Sequence, residues 1–378
     1  MSGRELDNLA DAVSAGQIGP AGQFLARFER QIAEFCGAAH AVTTCSGTAA
    51  AHIALLLAGV GPGQEVITTA WTFVATGNAI RHAGAHPVVL DVEPDHWQLD
   101  PAELERFLTG PCTRTPHGLL NPDTGRIVTA VMPVHLLGHP ADLDPIRALT
   151  EAHGLALVCD AAQAIGATHR GRPIGAPGLS AVSFNANKII TTGGGGAILT
   201  DDAGLADRAR YLINQAREHP VEYRHGEVGF NYRMTNLQAA IGCAQLERIE
   251  SFIAAKRATF DRYAEALADL DGVRFQAEAA WAHTTRWFTT CLIAPERSAT
   301  TAPQLRARLA DADIAAGPPW TPLHLTGAHR HTAPWPSPVA ETLGRNAIHL
   351  PCSVGMTHAQ QDRVIDAVRS AVPPLRRT

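Results

Sequence analysis

The stretch SFNANKIITTGGGG, from Ser183 to Gly196, places Lys188 between a short strand-like run and four consecutive glycines. Only one other lysine, Lys256, occurs in the 378 residues, although lysine and arginine together number 31. Because an arginine guanidinium stays protonated and cannot form an imine, a lysine in an arginine-rich chain favours a role that only an amine can perform.

Strand and helix patterns alternate on both sides of this stretch. The apolar runs that predict strands include EVITT (65–69), HPVVLDV (86–92), RIVTAVMPVH (126–135) and LALVCD (155–160). Helical patterns lie between them, and two of these begin at the good capping residues Ser46 and Asp100. This alternation predicts an α/β fold in which a mostly parallel sheet is flanked by helices in a large domain.

The pattern changes in the last third of the chain. A single long helical pattern covers residues 236–270, and short strands mixed with helices follow it. We therefore predict a large domain of residues 1–246 and a smaller C-terminal α+β domain of residues 247–378. Lys256 lies in the long helical pattern among charged neighbours, which predicts a solvent-exposed position.

Composition excludes several classes of function. The net charge of −5, without an obviously basic face, argues against a nucleic-acid partner. No apolar run is long enough to cross a membrane, and the N-terminus lacks the layout of a signal peptide, so we expect a cytoplasmic protein. Seven scattered cysteines without a CxxC pair predict free, mostly buried thiols, and we expect no metal site.

Polar residues cluster where predicted strands and helices meet. Those that follow or end strands are His135, Asp160, Gln163, Ser183 and Lys188. In open α/β sheets ligands bind beyond the carboxyl ends of the strands. Ser46, Gly47 and Thr48 open a helix, and a helix N-terminus can hold a phosphate.

A lysine, an acid and a phosphate cradle fit pyridoxal 5′-phosphate, which needs a Schiff-base lysine and an acidic partner for its ring nitrogen. The sequence has no P-loop, GxGxxG or GxSxG motif that would favour another chemistry.

Seven motifs, in order along essentially the whole chain, resemble those of the DegT/DnrJ/EryC1/StrS sugar aminotransferases, which are fold-type I pyridoxal-phosphate enzymes. They are CSGTAA, TFVATGNAI, PVHLLGHPADLDPI, CDAAQAIGA, SFNANKIITTGGGGAILTDD, GFNYRMTNLQAAIGCAQLERI and LPCSVGMT. The resemblance implies a role for Lys188 as the Schiff-base lysine that also moves protons. It implies that Asp160 binds the ring nitrogen, that Gln163 binds the ring hydroxyl, and that Phe73, in preference to Trp71, covers the ring.

The same resemblance implies residues for the phosphate and the substrate. The residues at phosphate-binding positions are Gly47, Thr48 and Ser183. Asn231 matches an asparagine that reaches the phosphate of the partner subunit, which implies a homodimer with shared active sites. His324, Tyr232 and Arg233 match positions near the substrate. Ser183 and Asn231 also fit plain turn roles, and His135 fits a structural role better than a catalytic one.

The resemblance predicts an aminotransferase that moves the amino group of glutamate or glutamine to a keto sugar, a nucleotide-linked 4-keto-6-deoxyhexose. Pyridoxamine 5′-phosphate would be the form of the cofactor that carries the amino group. The all-glycine run and the segment LNPDTGR (120–126) indicate the branch that acts on UDP-linked 4-keto-6-deoxy N-acetyl hexoses. Two alternatives remain, a keto-cyclitol or another ketone of antibiotic biosynthesis as acceptor, and an inactive cofactor-binding regulator.

Overall fold

The computed structural model describes residues 3–175, 178–294, 296–332 and 335–372. Its α-helices are α1 (Glu5–Ser14), α2 (Gln23–Cys36), α3 (Gly47–Leu57), α4 (Ala75–His82), α5 (Pro101–Thr109), α6 (Leu143–His153), α7 (Ala203–Ile213), α8 (Asn236–Leu246), α9 (Ile249–Ala266), α10 (Ala302–Asp311), α11 (Pro338–Asn346) and α12 (His358–Ala371). None of these described helices is long and apolar enough to cross a lipid bilayer.

The strands form a large sheet and two small ones. They are β1 (His40–Thr44), β2 (Glu65–Thr69), β3 (His86–Leu90), β4 (Thr113–Thr115), β5 (Gly118–Asn121), β6 (Arg126–Met132), β7 (Ala156–Asp160), β8 (Thr168–His169), β9 (Arg172–Pro173), β10 (Leu179–Ser183), β11 (Gly196–Thr200), β12 (Val273–Phe275), β13 (Ala282–His283), β14 (Thr289–Ile293) and β15 (Ala347–Leu350).

The large sheet has the strand order β1-β11-β10-β7-β6-β2-β3, with β5 paired to β6 and β4 to β5. The strands from β10 to β3 along this order are parallel to one another. Strand β11 is antiparallel to both β1 and β10. The predicted α/β fold with a mostly parallel sheet is therefore confirmed, and the lysine-bearing stretch is the connection between two antiparallel neighbours.

Local sequence signals account for several element boundaries. The Ser46 hydroxyl accepts a hydrogen bond from the N–H of Ala49 at the start of α3. The Asp100 carboxylate does the same for Ala102, and Pro101 occupies the first position of α5. Both predicted caps are confirmed. Because β7 and β10 are parallel, their carboxyl ends bring Asp160 and Ser183 to one edge of the sheet.

The C-terminal third builds a separate sheet, β12-β14-β15, covered by α9, α10 and α12. Strand β13 instead pairs with β8, which comes from the N-terminal part of the chain. We infer two domains divided near residue 247. Strand β13 connects them, because it lies in the C-terminal part of the chain and pairs with β8. The prediction of one helix over 236–270 is wrong, because the helical path breaks at Arg248, whose φ is −119°.

The second lysine is not where the sequence pattern predicts it. Lys256 is only 8% exposed, and its ammonium donates hydrogen bonds to the Trp287 carbonyl and the Cys352 sulfur. The prediction of a solvated position is wrong because residues about 30 and 100 positions further along the chain cover this face of α9. The cysteine prediction is confirmed, since all seven are free thiols and five of them are buried.

Candidate active site

The loop that carries Lys188 is anchored on both sides by buried apolar residues. Phe184, Ile189 and Ile190 lie in the core, and the Phe184 ring packs edge-on against Phe28 at 5.1 Å between centroids. The N–H of Phe184 donates to the Gly195 carbonyl, and the N–H of Thr192 donates to the Phe184 carbonyl. The apolar residues of the stretch 183–196 therefore hold the backbone on each side of Lys188, while its amine projects into a pocket.

Two of the glycines in the run have steric reasons to be glycine. Gly195 has a φ of +153°, and a Cβ there would collide with the Thr192 hydroxyl. A Cβ on Gly196 would lie 2.7 Å from the backbone nitrogen of Gly47. The run thus lets β11 pass directly beneath the first turn of α3, which brings that helix N-terminus close to the lysine loop.

Asp160 lies at the carboxyl end of β7 and is 6% exposed. Its carboxylate accepts a hydrogen bond from the Thr76 hydroxyl at 2.7 Å and another from the N–H of Ala162 at 3.1 Å. Burial raises the pKa of Asp160, although both hydrogen bonds and the positive charge of Lys188 act in the opposite direction. A cationic ring nitrogen would find a buried, oriented carboxylate at this position.

Lys188 lies against an aromatic ring. Its Nζ is 3.8 Å from the centroid of the Trp287 ring, which stacks on Phe288 at 3.9 Å. Burial lowers the pKa of Lys188 to about 8, and the negative charge of Asp160 opposes this shift. A lysine amine with this pKa has a substantial neutral fraction near pH 8, which is the form that attacks a carbonyl carbon.

We expect the amine of Lys188 to titrate near pH 8 in the cofactor-free protein. Because the pKa is lowered, the ammonium dominates below pH 8, and labelling by an amine-directed reagent should increase as the pH rises through this value. Mass spectrometry resolves the labelled peptide, since the chain has only two lysines. The variant Asp160→Asn should titrate at a lower pH, because Asp160 raises the pKa of Lys188. A midpoint near pH 10 in the wild type would contradict this prediction.

A cavity of about 320 Å³ joins these groups, and we call it the cofactor pocket. Its wall includes the predicted residues Gly47, Thr48, Phe73, Asp160, Ser183 and Lys188. The structure thus places six of the eight predicted cofactor and catalytic residues around one space. Trp71 is fully buried behind it, where its indole N–H donates to the Trp320 carbonyl, so the preference for Phe73 over Trp71 agrees with the geometry.

One end of the cofactor pocket suits a phosphate group. A Cβ on Gly47 would lie 2.6 Å from the Cβ of Ser183, so α3 begins directly against the end of β10. The first N–H groups of a helix have no intrahelical acceptor and carry partial positive charge. The N-terminus of the eleven-residue α3 and the hydroxyls of Thr48 and Ser183 therefore offer donors to an anion.

Part of the remaining wall is formed by residues that the sequence did not reveal. Trp287, Phe288 and Trp320 line the cofactor pocket from the C-terminal third, and Asn185 and Asn187 line it from the lysine loop. Thr76, which orients Asp160, lies one turn beyond Phe73. The available signal for Trp287 was a tryptophan followed by a phenylalanine just before the short strand β14, but nothing in the local sequence connects that strand with Lys188.

Five predicted residues lie outside the wall of this pocket. Asn231 is exposed, and the Tyr232 carbonyl accepts a hydrogen bond from the N–H of Cys45. The backbone of Arg233 forms an isolated bridge with Thr44. His324 pairs with Glu341, with Nε2 3.5 Å from Oε1. Gln163 is buried, and its Oε1 accepts a hydrogen bond from the N–H of Leu137.

His135 supports the site from behind. It is fully buried, and its Nδ1 accepts a hydrogen bond from the N–H of Ala141. Burial lowers the pKa of His135 to about 3, so the ring is neutral. Its backbone N–H donates to the Asp160 carbonyl, which helps to hold the end of β7. This arrangement matches the structural role predicted for it.

Comparison with known proteins agrees with this arrangement. The model of the DegT/DnrJ/EryC1/StrS aminotransferase family matches residues 1–369. The chain belongs to this family. It is an aminotransferase, and its family consists of pyridoxal-phosphate enzymes with the fold described above. The residues around the cofactor pocket fit that cofactor, since a lysine, a buried carboxylate and a helix N-terminus face one space.

Named relatives extend over nearly the whole chain. The GDP-perosamine synthase of Caulobacter vibrioides is 38% identical over 97% of this chain and 95% of its own length. The dTDP-3-amino-3,4,6-trideoxy-alpha-D-glucose transaminase of Streptomyces venezuelae is 37% identical over 92% of this chain and 87% of its own length. The solved structure of S. venezuelae DesV in complex with a ketimine intermediate superposes with a TM-score of 0.87 at 34% identity, covering 97% of this chain and 94% of DesV.

Proposed function

We propose that this aminotransferase transfers the amino group of glutamate or glutamine to a nucleotide-linked keto sugar, a 4-keto-6-deoxyhexose. The observation that carries the proposal is the convergence of Lys188, Asp160 and the start of α3 on one cavity. The names of the relatives support an amino sugar as product, and they include both GDP- and dTDP-linked compounds. The UDP-linked branch that the glycine run indicates therefore stays a prediction.

Each residue has a distinct task in this proposal. Pyridoxal phosphate, when bound, supplies a ring that accepts electrons from the substrate, and pyridoxamine phosphate is its amino-carrying form. Asp160 would keep the ring nitrogen protonated, while Gly47, Thr48 and Ser183 would hold the phosphate. Phe73 would cover one face of the ring, and Gln163 would reach the ring hydroxyl with its amide. Lys188, with its lowered pKa, would take and return the proton at the substrate carbon.

We also propose a homodimer in which Asn231 reaches the phosphate end of the partner's pocket. Lys188 is the only cationic residue among those that line the described pocket, so no arginine or second lysine of the same chain balances the charge of a phosphate there. The segment that leads to Asn231 exposes apolar side chains, with Val221 77%, Tyr223 85% and Val228 83% exposed. Apolar surface of this kind is typical of a contact with another molecule. Tyr232, Arg233 and His324 remain candidates for the rim of the substrate site.

The test uses the purified protein loaded with pyridoxal phosphate. We expect glutamate or glutamine to change the absorbance of the bound cofactor, and a nucleotide-linked 4-keto sugar to restore it with release of the amino sugar. Free nucleoside diphosphates should compete with the sugar substrate. Turnover of a keto-cyclitol without nucleotide competition would favour that alternative acceptor, and absence of turnover with every donor and acceptor would favour a regulatory protein.

A further inference from the structure

A second cavity of about 660 Å³ adjoins the cofactor pocket. The two cavities share Asn187, Lys188, Phe288 and Trp320 in their walls. Apart from Ala186, the rest of the second wall comes from the C-terminal third, chiefly the segments 315–320 and 349–354, together with Lys256. We call this space the donor pocket. Lys188 therefore lies in the wall of both spaces.

Lys256 brings a positive charge to the wall of the donor pocket. It is 92% buried, and its ammonium donates to the Trp287 carbonyl at 3.0 Å and to the Cys352 sulfur at 3.5 Å. An ammonium has three N–H donors, and neither of these acceptors is a carboxylate. A buried charge is costly unless it is paired. Within the described residues Lys256 has no acidic partner, so an anion from outside the chain would supply one.

His349 provides a second group that lacks a partner. It is also 92% buried, and its Nδ1 lies 2.7 Å from the Thr290 hydroxyl, while its Nε2 has no hydrogen-bond partner among the described residues. Burial lowers the pKa of His349 to about 4, so the ring is neutral at pH 7. If the Thr290 hydroxyl donates to Nδ1, the proton of the neutral ring lies on Nε2, which is then a hydrogen-bond donor.

The charge of the wall limits what the donor pocket can bind. No aspartate or glutamate is among its described lining residues, so an anion would meet no repulsion there. Beyond Lys188, the wall offers one ammonium and one neutral imidazole. This pair matches the single charge of a carboxylate and falls short of the two or more charges of a diphosphate.

We propose that the donor pocket binds the side-chain carboxylate of the amino donor, with Lys256 as its ion pair and His349 Nε2 as a hydrogen-bond donor. This inference rests on the proposed function and selects glutamate over glutamine, whose amide cannot form the ion pair. Lys256 also holds the carbonyl of Trp287, the residue whose ring lies against Lys188. The same side chain would thus connect recognition of the donor with the position of the catalytic lysine.

The first test compares amino donors with and without a distal carboxylate on the cofactor-loaded protein. We expect Lys256→Met to lower the rate constant for the reaction with L-glutamate at low concentration by about 30-fold, as loss of a charged hydrogen bond predicts. The same variant should lower the rate constant for L-norvaline much less, because norvaline has no second carboxylate and loses only the support that Lys256 gives to Trp287. Arg369→Gln, which removes an exposed cation of the same domain, is the matched control and should not alter either rate.

The second test requires no turnover. Glutarate should raise the melting temperature of the wild type and of Arg369→Gln, whereas pentanoate should not, and Lys256→Met should lose the glutarate effect. An equal loss with glutamate and norvaline would overturn the inference, since it would mean that Lys256 acts only by placing Trp287. Equal stabilisation of the wild type and Lys256→Met by glutarate would also overturn it. No amino transfer by the wild type with any donor would overturn the proposed function, and glutarate binding would still decide the role of the pocket.

Discussion

Replacing Lys188 by alanine is expected to lower the rate of amino transfer by about a thousandfold or more, because the variant loses both the amine nucleophile and the group that moves the proton. The neutral fraction that makes this lysine reactive depends on burial, which lowers its pKa to about 8. No other lysine lines the cofactor pocket, so no neighbour can take over the reaction. The measurement is the single-turnover change in cofactor absorbance after glutamate is added.

Two controls separate loss of chemistry from loss of structure. Lys188→Ala should leave the free energy of unfolding nearly unchanged, because the buried Ile189 and Ile190, and not the amine, anchor the loop. Lys188→Arg should keep the positive charge near Asp160 and still be inactive, since a guanidinium does not lose its proton. Amino transfer by either variant at more than a few percent of the wild-type rate would remove Lys188 from its central role.

We expect Asp160→Asn to lower the rate of amino transfer by about a hundredfold, the usual effect of removing an oriented charge from a reacting centre. The amide cannot hold a proton on the ring nitrogen as a carboxylate does. It also has only one acceptor oxygen, whereas the Asp160 carboxylate accepts hydrogen bonds from both the Thr76 hydroxyl and the N–H of Ala162. The measurement is kcat with saturating glutamate and acceptor, together with the amount of cofactor retained.

The matched control for this prediction is Thr76→Val, which keeps the carboxylate and removes one hydrogen bond. We expect a smaller loss of activity for this variant, because Ala162 still orients Asp160 and the charge persists. A loss of activity in Thr76→Val as large as that in Asp160→Asn would show that the hydrogen bond, and not the negative charge, carries the effect.

Much of the site could be predicted because its residues belong to elements that the local sequence specifies. Asp160 ends a strand whose apolar run is visible in the sequence, and Gly47 follows a serine that caps a helix. Parallel pairing of β7 with β10 then brings Asp160 and Ser183 to one edge without further information. The family motifs cover the same local stretches, so they indicate the same features, Lys188, Asp160 and the start of α3.

The residues that escaped prediction are those whose role depends on distant packing. Trp287 lies 99 positions after Lys188 in the sequence, yet its ring contacts the lysine amine. Lys256 has a helical environment that looks exposed, but Trp287 and Cys352 cover it. Whether a residue is buried depends on which distant segments pack against it. The residues next to it in the sequence do not specify that packing.

Residues a few positions apart are enough to specify the alternating strands and helices, the capped start of α3 and the lysine that arginine cannot replace. The parallel core of the sheet follows from that alternation, because a helix between two strands returns the chain to the same edge. Only the tertiary structure decided the antiparallel placement of β11 beneath α3, the break between α8 and α9, and the closure of the pocket by Trp287 and Trp320. It also decided that Lys256 is buried beside a second cavity. Most of these features arise when segments about 30 to 150 residues apart exclude water between them, and that burial depends on the whole chain.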